Sequence, residues 1–444
     1  MRVAYHTLEF LSLSWMRRLL EEGVEILVYC KESLYRRVGV GLVPISFNFD
    51  EWMKWGLADP NTLFFFDFTD DGELAERLRR SGKLVLGGGK FQDTLEQKRE
   101  VGEDIAKQVG ILCPPTTQFA TVSESIAFLS SKPEQESGDG GWAWKPNKSL
   151  GCDTTLVTSD EDEMIRGLQH IQRQYGDNLK CIIQERIPGV ALSTARWWNG
   201  TAWVGPYWAT LEEKKFLNGD KGPATGCSLN TVWFYQEEEP EIARELKFAE
   251  LESVFRSKNA APGIYDINSI VNNEGAWFLE WTPRLGYDSE MTSQRGISNL
   301  GQLLWNVATG QGIDDLFDTS TIYHGLHVSV PPYPNYIAKL DNKSPALGIP
   351  VHGIDGFWDK YFVASGIAFD PSEGITVASP PGYVATIVCE GNSVTAGYDD
   401  IYDYIDEELQ IQNLQYRTDA ADNINKDLLQ LKKYGWKTHS RLGK

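Results

Sequence analysis

Cysteine and histidine are scarce in this chain, six of each among 444 residues. Cys30, Cys113, Cys152, Cys181, Cys227 and Cys389 show no paired spacing, which argues against a disulfide framework or a zinc site and for reduced thiols. The histidines carry no metal-binding spacing, and no Ser-His-Asp or Cys-His arrangement is evident. Positive charge is short too: 42 lysines and arginines stand against 62 aspartates and glutamates, a net charge of −20. Nucleic acid and anionic membranes would both repel such a chain, so nonspecific binding to either is not expected. A phosphate-bearing ligand would instead need local lysines and arginines inside a cleft. No apolar run reaches membrane length and no signal peptide opens the sequence, which predicts a soluble, cytoplasmic protein. Internal repeats and low-complexity tracts are missing as well.

What is present describes an ordered globular protein. Hydrophobic residues make up 41% and aromatics 12%, and the length predicts two to four domains. Fifteen tryptophans are many, and core filling explains them better than stacking on a ligand ring.

Residues 1–88 alternate short apolar runs (Val24 to Tyr29, Thr62 to Phe66, Lys83 to Leu86) with a helical segment over Asp71 to Arg80. That order predicts a small α/β domain with a parallel sheet covered on both faces. Residues 89–315 form the next unit. The spacing of Leu95, Val101, Ile105 and Val109 predicts one helix from Gln92 to Val109, stopped by Gly110. A compact α+β lobe follows over about 115–187, with a polar surface loop from Ser131 to Gly141. A long helix is expected from Pro240 to Lys258. Residues 316–444 open with strand signals at His324 to Val330 and close in a charged, helical tail.

Three stretches carry the chemistry. Cys181-Ile182-Ile183-Gln184-Glu185-Arg186-Ile187-Pro188-Gly189 is a buried-strand run ending in an acid and an arginine. Gly219-Asp220-Lys221-Gly222-Pro223-Ala224-Thr225-Gly226 sets glycines and a proline around charged and hydroxyl groups, a composition suited to a loop that wraps a small polar ligand. Tyr265-Asp266-Ile267-Asn268, the turn Asn272-Asn273-Glu274-Gly275 and Phe278-Leu279-Glu280-Trp281-Thr282-Pro283-Arg284-Leu285-Gly286 read as a hairpin ending in an arginine.

In this order the stretches resemble the ATP-grasp ligases and, within them, the glycinamide ribonucleotide synthetases. The resemblance implies an ATP-grasp fold with α/β and α+β domains: an N-terminal α/β (pre-ATP-grasp) domain and a small β-rich C-terminal domain. It also implies residue roles. Leu95-Glu96-Gln97-Lys98 and Gly110-Ile111-Leu112-Cys113-Pro114 resemble a family helix and the Gly-Ile-Pro segment after it, which would turn Lys98 to the ATP phosphates. Trp144-Lys145-Pro146-Asn147-Lys148-Ser149-Leu150-Gly151 has the form of the family's phosphate lysine before a glycine loop, implicating Lys145 and Lys148. Gln184, Glu185 and Ile187 fall on the hinge around adenine. The family places two acids just after the hinge glycine, one for ribose; Val190 and Ala191 stand there, so ribose needs another partner.

Glu212 to Gly226 tracks the family's charged and glycine-rich stretch without a gap, implying Lys214 at the nucleotide and Lys215 and Asp220 as catalytic. Cys227-Ser228-Leu229 replaces Gly-Met-Gly, a departure that implies an altered substrate preference. Asp266 and Glu280, with Asn268 and Thr282, are the implied magnesium (or manganese) ligands, Thr282 replacing the usual Asn. Arg284 would bind the transferring phosphoryl group. Pro331-Pro332-Tyr333-Pro334 and Leu414-Gln415-Tyr416-Arg417-Thr418-Asp419 extend the resemblance toward the C-terminus. The family's Gly-Gly-Arg-Glu-His opening, which holds ribose-phosphate, is missing from residues 1–85.

The implied activity is an ATP-dependent, ADP-forming ligase that joins glycine or another amino acid to an amine through an acyl phosphate. Its partners would be small molecules, and it would act as a monomer or homodimer. Two alternatives stay open: the same chemistry on a modified nucleotide or other acceptor, or a degenerate ATP-binding scaffold.

Overall fold

The computed structural model describes residues 1–131, 141–147, 155–286, 289–335, 343–354 and 361–442. Strands β1 (Arg2–Thr7), β2 (Glu25–Cys30), β3 (Ile45–Ser46), β4 (Thr62–Phe66) and β5 (Leu84–Leu86) pair in the order β3-β2-β1-β4-β5, all parallel. Alternation along the strands divides their side chains between two layers. Val3, Tyr5, Leu63 and Phe65 enter the main core. Ala4, Phe64 and Phe66 pack with Trp52, Ala75 and Leu78 of helices on the other face. Those helices are α2 (Phe49–Leu57) and α3 (Gly72–Arg80), and α1 (Leu13–Glu21) joins β1 to β2.

The helix expected from Gln92 to Val109 is two helices, α4 (Lys90–Gln97) and α5 (Arg99–Val109). Lys98 breaks them, with φ −117° and ψ 84°. Periodicity survives such a break because both pieces bury an apolar stripe. The bend fits α5 onto Trp281, whose indole N–H donates to the Gly102 carbonyl (3.1 Å). A side chain at 102 would meet Trp281 at 2.9 Å. Gly110 closes α5 in the left-handed region, φ 88°.

The small lobe contains β6 (Thr116–Phe119), β7 (Trp142–Pro146), β8 (Leu156–Thr158) and β9 (Cys181–Glu185) in the order β6-β9-β7-β8. Two helices cover it, α6 (Val122–Ser130) and α7 (Glu161–Tyr175), each capped by a side chain, Thr121 and Asp160. The lobe has its own core, built on Trp142, Trp144, Met164, Leu168 and Ile183.

The large lobe is organised on one sheet. Its strands are β10 (Val190–Trp198), β11 (Trp203–Leu217), β12 (Lys221–Phe234), β13 (Gly263–Asn272), β14 (Gly275–Thr282) and β15 (Ile322–Ser329). Beyond β16 (Val351–His352), β17 (Phe362–Ala364), β18 (Ile367–Asp370) and β19 (Gly374–Val377) comes β20 (Tyr383–Gly391), followed by β21 (Gln410–Ile411). Among the described residues the sheet has eight strands, ordered β14-β13-β10-β11-β12-β15-β20-β17. The portion after residue 316 thus shares a sheet with the lobe before it. Helices α8 (Glu241–Glu245) and α9 (Phe248–Ser257) replace the single helix expected over Pro240 to Lys258, because Lys247 sits at φ 53° between them. The remaining helices are α10 (Ser289–Ser293), α11 (Leu300–Ala308), α12 (Val394–Glu407) and α13 (Ala420–Lys433). Trp15, Trp52, Trp144, Trp197, Trp198, Trp208, Trp233 and Trp281 are fully buried, so tryptophan here fills cores.

The stretch read as a ligand-wrapping loop, Gly219 to Gly226, is a tight turn followed by strand. β11 and β12 form a long hairpin joined by Asn218, Gly219 and Asp220, with Leu217 opposite Lys221. Glycine and proline signalled a turn correctly, but the pairing partner that keeps Gly222 to Gly226 extended lies in β11, out of reach of a local reading.

Candidate active site

The β13–β14 ladder sets Asp266 opposite Thr282 and Asn268 opposite Glu280. Residues two apart on a strand, and residues directly opposite across a pair, share a face. The four side chains proposed as metal ligands therefore stand together. β10 adds Ser193, opposite Asn268, and β11 adds Glu212 and Lys214 two residues apart on one face. The Asn268 amide donates to the Thr282 hydroxyl (3.0 Å), tying the two strands together at this face.

Three cations gather on Glu280. Arg99 Nη1 donates to Oε2 at 3.0 Å, and Lys214 Nζ lies 3.8 Å from Oε1 while pairing with Glu212 at 3.1 Å. Lys145, at the end of β7 and 9% exposed, completes the set from the small lobe. Burial alone would raise the Glu280 pKa, but Arg99, Lys214 and Lys145 outweigh it and pull the group down to about 2. Burial presses the other way on Lys145: with Arg99 and Lys214 beside it and Glu280 opposing, its pKa falls to about 8. Glu212 keeps Lys214 charged, its pKa above the usual lysine value. Trp144, fully buried beside Lys145, fixes the end of β7; truncating a buried tryptophan costs about 3–5 kcal/mol.

Asp266 is 7% exposed, and its Oδ1 has no hydrogen-bond partner among the described residues. Burial, then Glu290 and Glu212, push its pKa well above the ordinary carboxylate range, with Ser193 and Lys214 opposing. A buried, unpaired carboxylate oxygen close to two further acids is an electrostatic cost that a divalent cation would remove. The donors on this face are hard oxygens, as magnesium requires. Among the described residues no three His, Cys, Asp or Glu side chains are gathered tightly enough to hold a metal alone. Nucleotide phosphates, water, Asn268 and Thr282 would have to complete the shell.

The other expected site residues fall as follows. Lys98 is exposed at the break between α4 and α5, one position before the arginine that reaches Glu280. Lys148 lies outside the described residues. Gln184 is buried and donates to the Thr116 hydroxyl (3.0 Å), while Glu185 is exposed and Ile187 half-buried at the end of β9. Alternation puts Lys215 on the opposite face from Lys214, exposed. Asp220 is at the hairpin tip, paired with Arg417 at 3.1 Å. Arg284 gives two donors to Glu96 Oε1, at 3.0 and 2.7 Å, and one to the Leu285 carbonyl. Lys215 and Asp220 thus stand apart from the cluster around Glu280, whereas Arg284 acts on Glu290, one of the acids that press on Asp266.

Arg99, Glu212 and Glu290 were not singled out in the sequence. Lys98-Arg99 offered two adjacent cations, and the helix break alone decides which one turns inward. Glu212 could have been reached from Lys214, since strand alternation ties the two. Glu290 sits on five-residue α10, too short for periodicity to reveal a buried face.

Two lobes, the smaller carrying Lys145 and the larger a carboxylate hairpin, make this an ATP-grasp fold. A phosphoribosylamine–glycine ligase of Leifsonia xyli subsp. xyli (strain CTCB07) is 24% identical over 360 residues, covering 78% of this chain and 81% of that protein. The crystal structure of phosphoribosylamine–glycine ligase from Thermotoga maritima matches with a TM-score of 0.68 at 17% identity, over 94% of this chain and 100% of that one. The biotin carboxylase domain of Hydrogenobacter thermophilus 2-oxoglutarate carboxylase, solved with MgADP, ADP and bicarbonate, matches with a TM-score of 0.63 at 10% identity, over 99% of this chain and 96% of that one. No protein-family model matches the chain. It has the ATP-grasp fold and resembles, at a distance, the phosphoribosylamine–glycine ligases. No helix among the described residues is long and apolar enough to cross a membrane.

Proposed function

We propose that the chain is an ATP-dependent, ADP-forming ligase that joins the carboxylate of glycine or another amino acid to an amine. The observation that carries this reading is the convergence of Lys145, Arg99 and Lys214 on Glu280, beside the buried carboxylate of Asp266, whose Oδ1 has no hydrogen-bond partner among the described residues. Such a set neutralises phosphate charge and positions it, and phosphoryl transfer asks little else of side chains. Magnesium, held by Asp266 and Glu280 with Asn268 and Thr282, would screen the nucleotide's phosphates. Lys145 and Lys214 bind the nucleotide's anionic tail, and the small lobe excludes water above it. Gln184, Glu185 and Ile187 lie where β9 leaves the small lobe, the place for adenine.

A second reading keeps the chemistry and changes the acceptor. It is supported by the irregular strand at Cys227-Ser228-Leu229, where β11–β12 pairing shifts register. The test is magnesium-dependent ADP release with a panel of amino acids, using hydroxylamine to trap acyl phosphate as hydroxamate. The expected result is hydroxamate with at least one amino acid; ADP release and hydroxamate both missing across the panel would overturn the reading.

A further inference from the structure

The polar face of the large sheet does not end at Lys214. Asn230 lies opposite Glu212, and Gly325 lies opposite Asn230, so one row runs from β11 across β12 to β15. Two residues along β15, His327 projects from the same face, with Thr386 of β20 opposite it. His327 is 6% exposed. Its Nδ1 bonds the Cys227 carbonyl at 3.1 Å; a carbonyl can only accept, so Nδ1 carries the proton and Nε2 keeps a lone pair.

That carbonyl is available because Cys227 lies outside both ladders. The β11–β12 register shifts between Glu213–Leu229 and Lys215–Ala224, and the β12–β15 pairing begins at Leu229–Leu326. A backbone carbonyl in the stretch that departs from the family's pattern, Cys227-Ser228-Leu229, thus orients the imidazole. Tyr383 meets the ring edge-on at 4.2 Å and Tyr333 packs on it at 4.7 Å, which holds it against rotation. Nε2 has no hydrogen-bond partner among the described residues. A buried acceptor left unpaired is costly, and the feature calls for an external donor.

We propose that His327 Nε2 accepts an N–H of the amine that attacks the acyl phosphate, and that this amine is carried on an uncharged group. The proposal rests on the ligase reading above. A lone pair repels carboxylate and phosphate oxygens and fits an N–H. Burial keeps His327 neutral, its pKa lowered to about 4 with the Cys227 carbonyl opposing. An ammonium would be drawn instead to Asp266, Glu212 and Glu290. Among the described residues the groups on the ring, the Cys227 carbonyl, Tyr333 and Tyr383, are uncharged, whereas a phosphorylated amine would need lysine or arginine there. Held by one N–H, the amine turns its lone pair to the acyl carbon. The C–N bond forms as the acyl C–O bond breaks, phosphate leaves with the electron pair, and the amine's proton departs with it.

The experiment compares ethanolamine, O-phosphoethanolamine and hydroxylamine as nucleophiles, using the carboxylate that gives hydroxamate with the unmodified enzyme. Ethanolamine is expected to support amide formation better than O-phosphoethanolamine. In His327→Ala the KM for ethanolamine should rise about tenfold, the loss of one hydrogen bond, while hydroxylaminolysis at saturating hydroxylamine stays within about twofold. His327→Gln, whose side-chain carbonyl oxygen can also accept, should recover most of the loss. Preserved hydroxylaminolysis shows that each variant is folded and still makes acyl phosphate. An unchanged ethanolamine KM in His327→Ala, a parallel fall of both reactions in both variants, or preference for O-phosphoethanolamine overturns the proposal. Failure of the unmodified enzyme to form hydroxamate would instead overturn the ligase reading beneath it.

Discussion

Arg99 donates to Glu280 across 3.0 Å, joining the first residue of α5 to the returning strand of the β13–β14 hairpin. The pair links the carboxylate to the helix and leaves the other carboxylate oxygen toward Lys214. Glu280→Ala removes the anion that balances three cations and a proposed metal ligand with it. Magnesium-dependent ADP release should fall at least about 100-fold. Arg99→Ala removes only the group that orients Glu280, for which a loss of about tenfold is expected. Steady-state ADP release at saturating ATP checks both, and equal effects would contradict the ordering.

If Lys145 holds the nucleotide as proposed, binding should depend on pH. Its pKa of about 8, lowered first by burial, means that the free protein loses this charge as pH rises through about 8. ATP affinity should therefore weaken by about tenfold between pH 7 and pH 9.5, the worth of one charge-assisted contact. Lys145→Met should bind weakly and show no such step. Tryptophan fluorescence titrations across that range provide the measurement. Stability moves the opposite way: the unfolded chain holds the lysine proton up to higher pH, so this group's penalty on folding is relieved as pH rises above 8.

Much of this architecture was legible in the sequence because the signals were local. Strand runs such as Thr62 to Phe66, the helix over Asp71 to Arg80 and the Asn272–Gly275 hairpin turn need no distant partner to be read. Asp266, Asn268, Glu280 and Thr282 were picked out by the resemblance, and strand alternation plus one turn accounts for their sharing a face. What could not be read depended on distant contacts. Lys98 breaks a periodic helix where α5 bends onto Trp281, 179 residues from Gly102. The Gly219–Gly226 stretch becomes strand through β11. The pairing of Arg284 with Glu96, 188 residues away in sequence, likewise has no local signal.

Arg417 explains why Asp220 is at a hairpin tip. The guanidinium is 1% exposed and bonds Asp419 twice at 2.8 Å, Asp220 at 3.1 Å and the Lys215 carbonyl at 3.0 Å. Arg417→Ala would strip this hairpin of its anchor, with a cost of roughly 2–4 kcal/mol after allowing for the exposure of Asp220. Arg417→Lys should not restore it, since one ammonium cannot reproduce the fork. Asp220→Asn should lower the denaturation midpoint while ADP release per folded molecule is retained. A collapse of kcat in that variant would place Asp220 in the chemistry.

Glu213 gives the same hairpin a pH dependence. Burial raises its pKa to about 8, Asp220 and Asp427 add to this, and Arg417 opposes them. A carboxyl whose folded pKa exceeds its unfolded value near 4.5 stabilises the fold fully below that value, and the contribution disappears as pH rises through about 8. Across this window the unfolded chain ionises Glu213 while the folded one keeps it protonated, so stability declines with rising pH. Glu213→Gln fixes the neutral form in nearly the same shape. Its denaturation midpoint should match the unmodified protein near pH 4.5 and exceed it near pH 8. A variant less stable than the unmodified protein at pH 8 would show that Glu213 is held there as a carboxylate, with Arg417 outweighing burial and the two aspartates.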